Sequence, residues 1–300
     1  MLKFYNQAKV FLYIQELEQN GPVFLEVHPT LACNHKCVWC RYGHDASKLS
    51  YKDMAKSLAT YPHVKGVRIS GGGEPLSNKD ATLQFITRCG ELGIAVGIET
   101  NGGLLDDESI RIIANTCRYC RISLDAVTAE THEKLHQSKD FERVCDNISK
   151  LRQAGIPELG LSYLIVPENV REILELPSLR LPVDYIHFKP LIVGIDKKTR
   201  NLAMLVLEHW EKTGLEPTIR WDRIVEDDMG NTRIPCRITK LIRVIGGDGK
   251  EYVCCEKAYE PEFEVGVWNG STRKCLSCRY NGYNELLEGY YKNTISREFL

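Results

Sequence analysis

The stretch TLACNHKCVWCRYG, residues 30–43, places Cys33, Cys37 and Cys40 within eight positions. Soft thiolates select zinc or iron–sulfur clusters, and a C-x3-C-x2-C spacing folds one loop around one centre. A closed centre usually takes four ligands. Three cysteines leave one metal position open to a small molecule, by the logic that separates catalytic from structural zinc sites. On spacing alone, a zinc knot with His35 or His44 as fourth ligand also stands.

Outward from this loop the chain alternates short apolar runs with helical patterns. VFLEVHP (23–29), VRIS (67–70), IAVGIET (94–100), YCRISLDA (119–126), LGLSYLIVP (159–167) and VDYIHFKPL (183–191) read as six strands. Helical patterns between them predict a parallel sheet with helical crossovers. Chemically loaded residues follow the strands: the cysteine loop after the first, SGGGEP (70–75) after the second and TNGG (100–103) after the third, while SLDA (123–126) ends the fourth. Functional groups of barrels and doubly wound sheets collect at the carboxyl ends of the strands, so this edge is the candidate active site.

Composition narrows the class. With 39 basic and 40 acidic side chains the net charge is -1, which excludes a general nucleic-acid binder. A 43% hydrophobic content supplies a core. The opening MLKFYNQAKVFLYIQELEQN lacks a signal-peptide h-region and reads as an amphipathic helix, and no run is long enough to span a membrane. A cytoplasmic location is expected, where 12 cysteines point to metal binding or redox chemistry before disulfides.

From about residue 214 the rhythm changes. GGDGKEYVCC (246–255) carries a hairpin signal at Asp248-Gly249, and Cys236, Cys254, Cys255, Cys275 and Cys278 follow one another toward the end. The expected organisation is an N-terminal helix (1–21), an α/β domain (22–213) and a small metal-stapled module (214–300).

The three-cysteine loop, with Trp39 before its last cysteine, resembles the cluster loop of the radical S-adenosylmethionine (radical SAM) superfamily, and GGGEP resembles that family's second signature. The resemblance covers about residues 22–195 and implies a partial (β/α)6 TIM-type barrel. It implies that Cys33, Cys37 and Cys40 hold a [4Fe-4S] cluster whose fourth iron is chelated by the amino and carboxylate groups of SAM. Trp39 would then pack beside adenine, Gly72 and Gly73 would let backbone approach the ligand, and Glu74 would accept from its amino group. Ser123 and Asp125 would face the ribose or substrate, Asn101 the same rim, and Val166 the adenine. Turn and capping roles stand beside these for Asn101, Ser123 and Asp125. Reductive cleavage of SAM would give a 5′-deoxyadenosyl radical that abstracts a substrate hydrogen.

The second cysteine set resembles a twitch domain, a shortened SPASM domain. It implies an auxiliary [4Fe-4S] cluster on Cys236, Cys254, Cys275 and Cys278, and the spacing alone also allows a zinc ribbon. Cys255 remains over. Alternation along a strand would turn it away from Cys254, and some radical SAM epimerases use a spare cysteine to return hydrogen. Resemblance to aminocyclitol dehydrogenases offers oxidation through the auxiliary cluster instead, and a zinc-stapled, non-catalytic binding protein is the reading from another class. His28, His187 and Lys189 are candidate substrate contacts at the rim. Cys89, Cys117, Cys120 and Cys145 read as packing residues, and the eight histidines show no H-x-x-x-H pair in a metal context. Expected partners are a small-molecule or peptide substrate and an electron donor such as flavodoxin or ferredoxin. About 20 residues before the first strand are too few for a leader-binding domain of about 80 residues, which favours a small molecule or a leader recognised elsewhere.

Overall fold

The computed structural model describes residues 19–190, 196–211, 217–219, 236 and 238–267. Strand β1 (Phe24–Val27) leads into the cysteine loop. Then come α1 (Tyr51–Thr60), β2 (Gly66–Ile69), α2 (Lys79–Glu91), β3 (Ala95–Thr100), α3 (Asp107–Thr116), β4 (Tyr119–Ser123), α4 (Ala129–His136) and α5 (Phe141–Gln153). They are followed by β5 (Leu159–Ile165), β6 (Tyr185–Pro190), α6 (Lys197–Glu211), β7 (Pro217–Ile219), α7 (Ile238–Leu241), β8 (Ile242–Ile245) and β9 (Glu251–Tyr252). Caps written in the sequence start several helices. Ser50 and Asp53 form a capping box on α1, and Asp106 and Ser109 form one on α3.

Strands β1 to β6 lie side by side in chain order, all parallel, in the α/β partial-barrel arrangement expected from the sequence. The sheet is longer than six strands. β7 pairs parallel with β6, and β8 pairs parallel with the other side of β1. β9 then returns antiparallel through the Asp248-Gly249 turn, with Gly249 at φ +81. The hairpin of the C-terminal segment thus extends the barrel sheet itself. Between β5 and β6 the connection is a 3-10 stretch, Glu172–Leu179, instead of an α-helix. Pro177 inside it has no N–H to continue an α-helical ladder.

Period-2 alternation sorts the strand residues into two faces. Leu25, Val27, Ile69, Ile98, Ile122 and Leu161 pack outward in one buried core with helix residues such as Phe85, Ile113 and Ile148. A second core joins Tyr163 and Phe188 to Trp210 of α6, with ring centroids 5.8 and 5.6 Å apart along the row.

The inner face is layered. Phe24, Tyr119 and Tyr185 each lie over the glycine paired with them in register: Gly66, Gly97 and Gly160. A Cβ on Gly97 would stand 2.0 Å from the Tyr119 ring, and one on Gly160 would stand 2.2 Å from that of Tyr185. These rings form a floor. Two residues further along the strands runs a charged belt of Glu26, Arg68, Glu99, Arg121 and His187, with Lys189 above His187. Arg68 pairs with Glu26, Arg121 pairs with Glu99, and Lys189 Nζ reaches Glu99 at 4.0 Å. Burial works against the Glu99 charge, but Lys189, Arg121 and Arg68 hold its pKa near 2. One more step along the strands reaches His28, Ser70, Asn101 and Ser123, with Asp125 just past the end of β4, the edge where the sequence concentrates its chemistry.

Candidate active site

The cysteine loop leaves β1 and docks on the end of α4, with the N–H groups of Lys36 and Val38 donating to the carbonyls of His136 and Leu135 at 3.2 and 2.9 Å. Cys33, Cys37 and Cys40 are free thiols, the first two half-buried and the third exposed. Cys33 Sγ accepts the His35 backbone N–H at 3.4 Å and lies 3.9 Å from Asn101 Nδ2. Cys37 Sγ lies 3.6 Å from His136 Nδ1. The two thiols titrate in opposite directions. Burial pushes Cys33 up to about 11. Burial also raises Cys37, but the neighbouring imidazoles of His136 and His35 outweigh it and bring the thiol to about 7. Burial opposes charge on His136 too, yet Asp125 and Cys37 lift it to about 10.

The glycine turn closes directly on this loop. Gly73 N–H donates to Thr30 O and Glu74 N–H to Ala32 O, both at 2.9 Å. A Cβ on Gly73 would fall 2.1 Å from Ala32 O, so backbone meets backbone here with no room for a side chain. At Gly72 a Cβ would meet Leu31 Cδ2 at 2.3 Å and the Tyr259 hydroxyl at 2.6 Å. Glu74 is buried, and its carboxylate accepts from Thr100 Oγ1 (2.6 Å), Asn101 N (2.7 Å) and Leu76 N (3.1 Å). Asn101 in turn donates to Asn34 Oδ1 at 2.8 Å. One carboxylate therefore ties the cysteine loop, the glycine turn and the loop after β3 into one unit.

Asp125 faces His136 at 3.1 Å and also accepts the Leu164 N–H at 2.6 Å. Ser123, half-buried, pairs in register with Ser162. Val166 is buried, and its N–H donates to Asn169 Oδ1 at 2.9 Å. Trp39 is 36% exposed on the loop surface. His187 Nδ1 lies 3.3 Å from Arg121 in the belt. His28 is fully buried between Glu26 (3.0 Å) and the Tyr259 hydroxyl (2.7 Å). Tyr259 holds φ +72, an unusual conformation for an aromatic residue, and its hydroxyl also accepts the Gly247 N–H at 3.1 Å.

The C-terminal hairpin reaches the same loop. Arg41, next to Cys40, donates to Cys255 O at 2.7 Å and to Glu256 O and Oε2 at 3.1 and 3.2 Å. Strand β9 ends at Tyr252, and Cys255 opens a 3-10 turn, so strand alternation is not what separates it from Cys254. Cys255 is buried with Val244 and Tyr252, and Cys254 and Cys236 are half-buried. Cys275 and Cys278 lie outside the described residues, as does most of the expected N-terminal helix. Cys89, Cys117 and Cys120 belong to the main core.

Sequence reasoning missed one cluster. His132 and His136 are four residues apart on α4, and their rings stack at 4.5 Å beside His35 and Asp140. The H-x3-H spacing was the available signal. Tyr259 and Arg41 carried none, because their partners are distant in sequence.

Three soft thiols on one loop, roofed by a glycine turn at the carboxyl edge of a partial barrel, define a barrel enzyme built around a thiolate-held metal centre. Residues 27–179 match the family model of the Radical SAM superfamily, and the chain belongs to that superfamily. A probable GTP 3′,8-cyclase of Methanocaldococcus jannaschii is 29% identical over 157 residues, 50% of this chain and 52% of that protein. The chain therefore spans about half of that relative. Streptococcus suis SuiB bound to S-adenosylmethionine superposes with a TM-score of 0.65 at 17% identity, covering 82% of this chain and 63% of SuiB. The anSMEcpe enzyme with bound AdoMet gives a TM-score of 0.62 at 17% identity, covering 85% and 79%. Both likenesses show the fold. The residues present fit the family's [4Fe-4S] cluster: the donor set is three free, soft thiols on one loop, and three thiols leave one iron for S-adenosylmethionine. Among the described residues no helix is long and apolar enough to cross a membrane.

Proposed function

We propose that this radical SAM enzyme removes a hydrogen atom from a carbon of a polar substrate and that Cys255 returns one to the opposite face, inverting that carbon. The supporting observation is the contact between Arg41 and the carbonyl of Cys255 at 2.7 Å, which brings the spare cysteine's segment against the cluster loop. When bound, the [4Fe-4S] cluster on Cys33, Cys37 and Cys40 and S-adenosylmethionine supply a 5′-deoxyadenosyl radical that takes the hydrogen. This chain's residues do the rest. Gly72 and Gly73 border the ligand, Asn101, Ser123 and Asp125 line the rim that faces ribose or substrate, and Trp39 and Val166 pack against adenine. Arg68, Arg121 and Lys189 pair with Glu26 and Glu99 in a charged belt on the inner face below. Such a belt suits a polar substrate, a sugar or a peptide, and the cyclase relative's name adds a nucleotide, GTP, to that class. Return of hydrogen breaks the S–H bond of Cys255, forms the new C–H bond and leaves a thiyl radical. One electron from a flavodoxin or ferredoxin and one solvent proton restore the thiol.

Cys236, Cys254, Cys275 and Cys278 are the proposed ligands of an auxiliary [4Fe-4S] cluster. Cys254 adjoins the contact to the cluster loop, so a substrate electron leaving by this route makes dehydrogenation the second reading. Turnover in D2O separates them. Epimerisation places one deuterium on the inverted carbon, and Cys255→Ala abolishes product while S-adenosylmethionine cleavage continues. Full activity of Cys255→Ala ends the donor role, and a carbonyl product without deuterium at that carbon selects the dehydrogenase.

A further inference from the structure

Only one of the three loop thiols has an imidazole beside it. Cys33 takes a backbone N–H, and Cys40 Sγ lies 3.9 Å from the carbonyl of Tyr42. Cys37 Sγ instead lies 3.6 Å from His136 Nδ1, and that ring belongs to a buried assembly. Asp140 Oδ2 is 3.0 Å from His35 Nε2, and Asp140 Oδ1 is 3.0 Å from His132 Nε2. A carboxylate accepts, so both of these rings carry a proton on Nε2. His35 Nδ1, bare in that tautomer, sits 3.2 Å from His136 Nδ1. Two bare nitrogens do not approach so closely in a buried site, which puts a proton on His136 Nδ1, where it faces both His35 and the Cys37 sulfur. On the far side of the ring, Asp125 Oδ2 lies 3.1 Å from Nε2.

We infer that His136 is a positioning residue that donates an N–H···S hydrogen bond to Cys37, and that Asp140, through His35 and His132, holds it there to set the reduction potential of the cluster. Cluster potentials respond to hydrogen bonds on their sulfurs, since an N–H dipole stabilises the extra negative charge of the reduced state. An additional metal ion is the competing reading, because His132-Glu133-x-x-His136 has the helix spacing of zinc proteases and the three rings offer nitrogens within 4.8 Å of one another. The geometry opposes it. His132 and His136 are stacked with 6° between their planes, so their in-plane lone pairs run parallel and do not converge on one ion.

The inference rests on the cluster being held by Cys33, Cys37 and Cys40, and the test separates the two. The full chain is reconstituted anaerobically and titrated by EPR, with the relevant signal identified by its response to added S-adenosylmethionine. Wild type is compared with His136→Leu, His136→Gln and Asp140→Asn, each with iron and zinc quantified. His136→Leu is expected to shift the reduction equilibrium toward the oxidised cluster by about tenfold, about 59 mV for one electron. His136→Gln, which keeps a donor, restores most of that shift, and Asp140→Asn falls between. An unchanged potential in His136→Leu with full iron content overturns the inference. Should His136→Leu lose its iron, a wild-type potential in Asp140→Asn overturns it equally. One zinc per chain that disappears in His136→Gln overturns it in favour of an ion site. A wild type with no signal responsive to S-adenosylmethionine removes the cluster assignment, and the inference with it.

Discussion

Glu74 accepts the backbone N–H of Asn101 at 2.7 Å, which locks the turn pressed on the cysteine loop to the loop of the neighbouring strand. Its second contact set, Thr100 Oγ1 and Leu76 N, leaves the buried carboxylate surrounded by donors. Glu74→Gln puts an NH2 group among them and forces donor against donor. The expected cost is about 1–3 kcal/mol of stability, read as a lower urea midpoint at constant slope. A midpoint equal to wild type would show that the three loops do not depend on this carboxylate.

The floor of the barrel makes a second prediction. The Cβ of Gly97→Ala would overlap the ring of Tyr119, its register partner. Overpacking of this kind costs about 1–3 kcal/mol. Tyr119→Ala vacates the space, so the double variant should lose less than the two single losses added together. Strict additivity in denaturant unfolding would mean that ring and glycine do not share one packing constraint.

What was legible in the sequence was whatever sits next to its strand. The cysteine loop, GGGEP, TNGG and SLDA each adjoin an apolar run, and parallel pairing in chain order brings them to one edge without further information. The pairing of β8 with β1 was not legible, because Ile242–Ile245 is four residues long and nothing local says which strand it joins. His35 and Asp140 meet across 105 positions, and His28 and Tyr259 across 231. Spacing rules see only contacts made within one element. Glu74 shows a subtler gap: its motif marked it as a ligand contact, whereas its acceptor role toward its own chain follows only from knowing which donors the neighbouring strand supplies.

The charged belt predicts a specific acid response. Glu99 has a folded-state pKa near 2, below its ordinary value of 4.5, because Lys189, Arg121 and Arg68 outweigh its burial. A depressed carboxylate pKa stabilises the fold above the ordinary value, and that stabilisation is lost as pH falls from about 4.5 through about 2. The full contribution is on the order of 3 kcal/mol. Glu99→Gln should therefore lower stability near neutral pH and flatten the dependence between about pH 4.5 and 2. Parallel pH profiles for wild type and variant would remove Glu99 from the acid response.

Arg41 makes the last prediction, because it follows the cluster loop's final cysteine and grips two consecutive residues of the C-terminal segment. Its guanidinium reaches Cys255 O, Glu256 O and Glu256 Oε2 at once, a fork that the point charge of lysine does not reproduce. With its side chain 41% exposed, the ion pair itself counts for little, and the anchoring comes from the directed bonds to buried carbonyls. Arg41→Lys and Arg41→Ala should both speed amide exchange across residues 253–257, by about tenfold or more, while α2 and α3 keep wild-type protection. Arg41→Lys should resemble alanine more than arginine. If lysine restores full protection, charge and not geometry holds the hairpin to the loop. If neither variant changes exchange there, Tyr259 and its bonds to His28 and Gly247 suffice to dock the segment, and the approach of Cys255 to the cluster loop does not depend on Arg41.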